Sequence, residues 1–363
     1  MPDNRLFSLQ RQEHLLDELR LNGSIRVKDL ARDLGVSQLT IRRDMAALAE
    51  RNLLTRVHGG AMLPVLLSGH SRPAPRVPIR FTIGMVVPSL DFYWPPIVAG
   101  ARAAAAALGV SVQLRGSSYD PEDDRRQITR LVETQHIQGL LLAPSISGDR
   151  SDEMLEWIGH LPVPTILVER QVARWAQTPR QIDWVSSDHA LGLEIAMHHL
   201  HRQGHRRIGL VLSRGSPTSV HLAKGWRAAC ADLDLPDAMV VRESVALQAP
   251  GHRELIADIL RQCASTKTTA LVVHSDPDAV SVTQFCAERG VSIPDDLAIV
   301  SYDDEVADLA EPALTAIRPP KNHVGRLAVE LMVSRLLEGA KRPSQRVLVA
   351  PELVIRGSSM VHR

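Results

Sequence analysis

The sequence predicts two modules in one chain: a small α+β head, then a larger α/β body folded as two lobes. Three observations carry this. Apolar residues in 8–62 recur at helical spacing and end in a short strand-turn pattern. Residues 63–80 hold Pro64, Pro73, Pro75 and Pro78, a composition that reads as an extended linker. From Phe81 onward, short apolar runs alternate with helical runs of about 10–15 residues, the pattern of parallel strands wrapped by helices.

In the head, Leu15, Leu16 and Leu19 mark a first helix that Asn22-Gly23 stops. A second runs from Val27 to Leu34 and is closed by Gly35. Ser37 caps a third that extends to about Arg51. Leu54 to Met62 has a strand-turn character, with Gly59-Gly60 as the turn.

In the body the expected order starts with strand 81–87, helix 96–108, strand 110–114, helix 121–135 and strand 139–143. Helix 151–160, strand 165–168, strand 183–186, helix 190–203, strand 207–212 and helix 220–233 follow. Strand 239–242, helix 251–263, strand 270–273, helix 278–289, strand 297–301 and helix 322–337 lead to strands near Val347 and Leu353. Some ten strands over this length suit two lobes better than one sheet.

The chain has 363 residues, 44% apolar and 23% charged, as a globular protein does. Its formal charge of +1 conceals an asymmetry. Residues 1–80 carry 13 Lys+Arg against 8 Asp+Glu; the remainder carries 29 against 33. A basic head on a mildly acidic body points to nucleic-acid contact by the head. The start lacks the apolar core of a secretory leader, and no run reaches the ~18 apolar residues of a membrane span. A cytoplasmic location with no membrane partner is expected. Cys230, Cys263 and Cys286 read as reduced, partly buried thiols.

On a helical wheel, Ile41, Met45 and Leu48 form the buried stripe of the third helix. Leu39, Arg43, Ala46 and Ala47 lie opposite, with Thr40 beside them and Arg42 on one flank. Adjacent arginines at a helix start suit the major groove, where a guanidinium forks onto guanine or phosphate. Arg56 and His58 follow on the strand-turn, placed to lie over phosphates.

In the body, Asp91-Phe92-Tyr93-Trp94 stands directly after the first strand and holds three of the chain's twelve aromatics. Ligands of open α/β folds sit beyond the carboxyl ends of strands. Aromatic faces there suit sugar rings or bases, and carboxylates accept from hydroxyls.

Residues 5–62 resemble the DeoR-type winged helix-turn-helix. Arg11, Leu15 and Leu19 match its first-helix spacing, Ser37 to Met45 its recognition helix, and Arg56 to Ala61 its wing. The resemblance implies binding of double-stranded operator DNA through Ser37, Gln38, Leu39, Thr40, Arg42, Arg43, Arg56 and His58, with the helix-turn-helix at about 22–41. Residues 81–357 resemble the LacI-type effector domain, which is similar to periplasmic sugar-binding proteins. The match rests on Ile83 to Pro88, Leu131 to Ser145, Ser187 to Ala190, Leu200 to Ile208, Ile299 to Asp304 and Ala313 to Pro319.

This second resemblance implies a periplasmic-binding-protein-like I sensor with two parallel sheets. Its pocket falls on Phe92, Tyr93, Trp94, Glu169, Asp188, Ser275 and Asp303, to which Asp91 is added on chemistry; Asp303 would accept two sugar hydroxyls. Asp276 and Asp304 are read as structural. Three features depart from the family. Leu222 stands where an arginine commonly precedes the Gly225-Trp226 pair by three residues, Ser275 stands where asparagine is usual, and the Pro-rich linker replaces the hinge helix. The expected domains are a head at 1–62, a linker at 63–80 and a body at 81–357. Lobe one covers about 81–186 and 319–342, lobe two about 187–318 and 343–357.

Among fifteen histidines, His198, His199, His201 and His205 form the densest group and are read as solvated surface; no metal or cofactor is expected. The chain has no P-loop, GxSxG or dinucleotide loop, so no catalytic residue is assigned. The expected function is a transcription regulator, a repressor acting as a homodimer or higher oligomer, controlled by a small effector, a sugar or related polyol. The alternatives are a constitutive DNA binder with a degenerate pocket, a sugar-binding module for transport, and a sugar-active enzyme.

Overall fold

The strand runs predicted from Phe81 onward are apolar on both faces, which requires a sheet covered on both sides. The computed structural model of the chain describes residues 11–12, 14–16, 18–19, 24–50, 54–57, 60–62, 78–90, 93–146, 151–172, 182–236, 241–244, 251–339 and 341–360.

In the head, residues 11–12, 14–16 and 18–19 are helical, followed by β1 (Ser24–Arg26), α1 (Val27–Asp33), α2 (Gln38–Glu50), β2 (Thr55–Val57) and β3 (Gly60–Met62). Leu15, Leu19, Leu30, Ile41, Met45, Leu48 and Leu54 close one small core. The three strands form an antiparallel sheet in the order β1-β3-β2. Strand β1 carries no signal in the sequence pattern, because three residues are too few to show a period. Gly60 pairs with Arg26, and a Cβ there would stand 2.0 Å from the Ile25 carbonyl oxygen, so only glycine lets the strands meet.

Lobe one contains β4 (Phe81–Val87), α3 (Trp94–Leu108), β5 (Val110–Gly116), α4 (Pro121–Thr134), β6 (Gly139–Leu142), α5 (Ser151–Gly159), β7 (Thr165–Val168) and β8 (Asp183–Ser187). The chain then crosses into lobe two for α6 (His189–Arg202), β9 (Ile208–Ser213), α7 (Ser219–Asp232), β10 (Val241–Ser244), α8 (His252–Thr266), β11 (Ala270–Val273), α9 (Asp276–Glu288), β12 (Ala298–Tyr302) and β13 (Thr315–Arg318). It returns as α10 (Lys321–Glu338) and β14 (Arg346–Val349), then crosses again to β15 (Glu352–Val354).

The first sheet has the order β14-β8-β7-β6-β4-β5 and is parallel throughout. The second has the order β10-β9-β11-β12-β13-β15, and its edge strand β15 is antiparallel. This corrects two expectations. Lobe two is not purely parallel, and β14 belongs to lobe one, because Arg346–Val349 pairs with Trp184–Ser187 of β8. The hydrophobic pattern of a four-residue strand does not say which sheet edge it joins.

Alternate residues divide between the two faces. Met85 and Val87 enter one core of lobe one and Val86 the other; Leu210 and Leu212 face one core of lobe two and Val211 the other. Buried Asp183 anchors the last return. Its carboxylate accepts from Arg335 Nε at 2.9 Å and Arg342 Nη1 at 3.1 Å, tying the end of α10 to β8.

The histidine cluster at the end of α6 is not wholly solvated, a third correction. His199 is buried and its Nε2 lies 2.8 Å from the Ser359 hydroxyl; His205 is buried 2.9 Å from the Thr269 hydroxyl. The chain's C-terminal turn covers that face of α6. Cys230, Cys263 and Cys286 are buried, and burial pushes the Cys263 thiol up to about 12.

Helices α3 and α10 cross at two glycines. A Cβ on Gly100 would stand 1.9 Å from the Asn322 carbonyl oxygen, and one on Gly325 1.9 Å from that of Ile97. Neither obstacle is a flexible side-chain end, so a methyl forces the helices apart. Gly325→Ala is expected to lower stability by about 2–3 kcal/mol in thermal or urea unfolding. Gly357→Ala, where a Cβ meets only ordinary contacts, should stay within about 0.5 kcal/mol.

Candidate functional site

Two surfaces carry the residues that the sequence singles out. The first is the outer face of α2. Ser37 precedes the helix; its hydroxyl accepts from the Thr40 amide at 3.1 Å and lies 2.9 Å from the Thr40 hydroxyl. These two side chains are therefore engaged in capping. Gln38, Leu39, Arg42 and Arg43 are exposed, Leu39 to 58%, while Ile41, Met45 and Leu48 are buried as the wheel places them. An exposed leucine between polar neighbours is costly in water and useful against an apolar group such as a thymine methyl.

Sequence reasoning missed what holds this face in place. Asp44 is buried, and its carboxylate accepts from Arg11 Nε of the first helix at 2.8 Å. Arg56 lies in β2, with its side chain outside the described residues, as is all of His58.

The second surface lies where the carboxyl ends of β7, β8, β11 and β12 converge between the lobes. Glu169 directly follows β7. Its carboxylate accepts from the Ser187 amide at 3.1 Å and the Ser187 hydroxyl at 2.7 Å, at the end of β8. It also lies 3.1 Å from His189 Nε2, at the start of α6 in lobe two, and His189 Nδ1 in turn lies 2.9 Å from the Tyr302 hydroxyl. All three side chains are buried. Burial would raise the Glu169 carboxyl, but the His189 imidazole and both Ser187 donors outweigh it and hold it at about 2.

Asp303 follows β12. Lys321 approaches it but donates to its backbone oxygen and to Glu305 rather than to its carboxylate. Its Oδ2 is 3.9 Å from His274 Nε2, beyond a hydrogen bond, and its Oδ1 has no partner. Burial, then the charges of Asp276, Glu305 and Glu169, raise its carboxyl to about 8 against the opposing pull of Lys321. Burial, then His189, lowers His274 to about 3; burial, His189 and Lys224 lower His221 to about 4. Tyr93 sits under the Lys321 amine, 4.9 Å from its ring centroid. Its hydroxyl is buried without a partner and raised well above its usual value, first by burial and then by Glu169 and Asp303.

The remaining sequence candidates are placed elsewhere. Trp94 is 2% exposed and packs in the core of lobe one, stacked under Arg170 and bonded through Nε1 to the Tyr119 hydroxyl at 3.3 Å. It supports Tyr93 edge-on rather than presenting a face to the cleft, because Pro95-Pro96 start α3 and turn its ring inward. Asp188 caps α6 through the Leu191 amide, and Ser275 caps α9 in a capping box with Asp278. Asp91 and Phe92 lie outside the described residues. Asp276 accepts from the Glu305 and Val306 amides, and Asp304 pairs with Arg318 and Arg356; both are structural.

His189, His274, Tyr302, Lys321 and Arg170 were missed. Their signal was adjacency: His189, His274, Tyr302 and Arg170 lie within a few residues of a strand end that the sequence already marked, and Lys321 directly precedes the helix expected at 322–337. Among the described residues, no three His, Cys, Asp or Glu side chains are grouped to hold a metal, and no helix is long and apolar enough to cross a membrane.

Residues 11–65 match the model of the DeoR-like helix-turn-helix domain, and residues 197–359 that of the periplasmic binding protein-like domain. A DeoR-like helix-turn-helix domain thus precedes a periplasmic binding protein-like domain. The chain is 25% identical over 338 residues to the arabinose metabolism transcriptional repressor of Geobacillus stearothermophilus, covering 91% of this chain and 90% of that one. It is 28% identical over 285 residues to the ribose operon repressor of Escherichia coli K12, covering 77% and 82%.

Among solved structures, the transcriptional regulator CelR in complex with cellobiose aligns over 89% of this chain and 91% of its own, at 24% identity and a TM-score of 0.65. A regulatory protein of the LacI family from Chloroflexus aggregans aligns over 77% and 98%, at 23% identity and a TM-score of 0.66. The two-lobed fold of the periplasmic-binding-protein-like body is therefore shared with these regulators.

The buried Glu169–His189 pair has a pH consequence. A carboxyl held below its unfolded value of about 4.3 contributes stability that is present above that value and lost as pH falls toward 2. Between pH 5 and pH 2 the wild type should lose on the order of 3 kcal/mol that Glu169→Gln never had. Unfolding curves of the two proteins at several pH values check this, and parallel pH dependence would refute it.

Proposed function

We propose that the chain is a DNA-binding transcription regulator, a repressor, whose affinity for its operator is set by a sugar or related polyol held between the two lobes. The observation that carries this reading is the pairing of an exposed, arginine-bearing helix in a helix-turn-helix domain with a two-lobed body. At the body's converging strand ends, buried polar atoms stand unpartnered. The names of the relatives, repressors of arabinose metabolism and of the ribose operon, support it.

In this reading, Gln38, Leu39, Arg42 and Arg43 enter the major groove and Ser37 and Thr40 hold the helix start against the backbone. The β2–β3 arm acts as the wing, with Arg56 and His58 over phosphates. A homodimer places two such helices about one helical turn, ~34 Å, apart on a palindromic site. Tyr93 and Asp303 contact the effector, and Asp91 and Phe92, which precede Tyr93 in the chain, are further proposed contacts. Glu169 and Asp188 hold the crossing between the lobes. Closure on the effector changes the spacing of the two heads, and the two affinities are coupled reciprocally, by about 1–3 kcal/mol.

Arg43→Ala should weaken binding to a double-stranded site selected from a random DNA library by about tenfold or more in fluorescence anisotropy. Arg56→Ala should reduce the slope of log affinity against log salt by about one. Unchanged affinity and slope would remove these residues from the interface. Calorimetry of the purified protein against a panel of sugars and polyols tests the body: no binding to any of them favours a constitutive DNA binder.

A further inference from the structure

We propose that Asp303 stands protonated in the free body and releases that proton when hydroxyl groups of an effector occupy the cleft, so that effector binding is coupled to pH. This deepens the reading of the cleft as a polyol site and rests on it. The geometry around the carboxyl is the argument.

Its side chain is only 14% exposed. Oδ1 meets no donor, and Oδ2 stands 3.9 Å from His274 Nε2, too far for a direct bond. The neighbouring cation, Lys321 at the start of α10, is spent on the Asp303 backbone oxygen, on Glu305 and on the face of Tyr93. The other charges that act on the site are acids: Asp276 at the start of α9, Glu305 in the turn after β12, and Glu169 after β7. Tyr302 and Tyr93 add uncharged phenols. A buried carboxylate without donors, ringed by three other acids, is costly, and a bound proton removes the cost. The raised carboxyl, at about 8, agrees with this.

The same atoms show what displaces the proton. Tyr93 Oη, His274 Nδ1 and Asp303 Oδ1 are buried polar atoms that lack partners. His274 Nε2 and Asp303 Oδ2 stand 3.9 Å apart, a separation that one hydroxyl oxygen at about 2.8 Å from each would bridge. A hydroxyl donating to Oδ2 and a second donating to Oδ1 supply the two hydrogen bonds that a carboxylate needs. The carboxyl O–H bond then breaks, its proton passes to solvent buffer, and two O–H···O⁻ bonds form. His274, neutral because of its burial, offers its ring nitrogens to the same hydroxyls without competing for the charge. An amide at 303 mimics the protonated acid in shape but has no proton to give.

Two measurements decide the matter. Without ligand, the full-length wild type and Asp303→Asn are melted between pH 5 and pH 8.5. A raised acid contributes stability that is present at low pH and lost as pH rises toward its folded value. The Tm of the wild type relative to Asp303→Asn should fall by about 5 °C or more across that range. Parallel curves overturn the proposal, since Asp303 would then carry its charge throughout.

With ligand, L-arabinose, D-ribose and cellobiose are titrated at pH 7 in phosphate and in Tris. Their different ionisation heats report the protons exchanged. Release of about one proton by the wild type and none by Asp303→Asn supports the coupling; no release, or uptake, overturns it. If none of the three sugars binds, the polyol reading of the cleft fails with its coupling, while the ligand-free melts still distinguish a protonated Asp303 from an ionised one.

Discussion

Glu169 holds the molecule's two halves at one point. The chain passes between the lobes at Ser187–His189, at Arg318–Lys321 and at Val349–Glu352, and the first of these crossings is written into the Glu169 carboxylate. Ser187 on the lobe-one side and His189 on the lobe-two side both bind it, and His189 hands the connection to Tyr302. A buried charge with this many donors is stable only while all of them stay in place. In the proposed closure on an effector, the lobes turn about these crossings while the Glu169 contacts stay in place. The other two crossings are anchored beside it: the Asp188 amide donates to the Val349 oxygen, and Lys321 grips the backbone of Asp303.

The division of labour among the acids follows from their donors. Glu169, Asp183 and Asp304 each collect several N–H or O–H donors, and they serve the frame. Asp276 takes two backbone amides on one oxygen and fixes the turn after β12. Asp303 collects none. Buried polar groups are nearly always satisfied, and the lack of donors at Asp303 is the feature on which the proposed polyol site rests. Tyr93 and His274, with unpartnered atoms beside it, belong to the same vacancy of hydrogen bonding. Trp94, the larger aromatic, is consumed by the frame beneath Tyr93.

The head obeys a similar economy on a smaller scale. A domain with one small core has little apolar area to spare, so the bidentate reach of Arg11 to buried Asp44 helps fix the angle of α2 against the first helix. That leaves Arg42, Arg43 and Leu39 exposed on the opposite side of α2. Gly60 allows β3 to lie against β1 and completes the small sheet of the head.

Much of this architecture was legible in the sequence, and the reason is periodicity. Parallel strands buried on both faces read as continuous apolar runs, and the helices between them as 3.6-residue stripes, so the alternation and the two-module division emerge from local pattern alone. The buried stripe of α2 was legible for the same reason, as were the roles of Asp276 and Asp304 once the strand ends were placed. What local pattern does not contain is distance between segments far apart in the chain. Nothing near residue 189 says that its imidazole meets Glu169 and Tyr302, 20 and 113 residues away. Nothing in Arg346–Val349 chooses β8 over β13, and a His-rich helix end does not reveal that Ser359 will cover it. The sequence by itself determined most of the strands and helices, β1 and β13 excepted, and which face of α2 meets solvent, because those depend on neighbours within a few residues. Only the tertiary structure decided which acids are satisfied and which one is left waiting, because that depends on donors delivered by folding from both lobes.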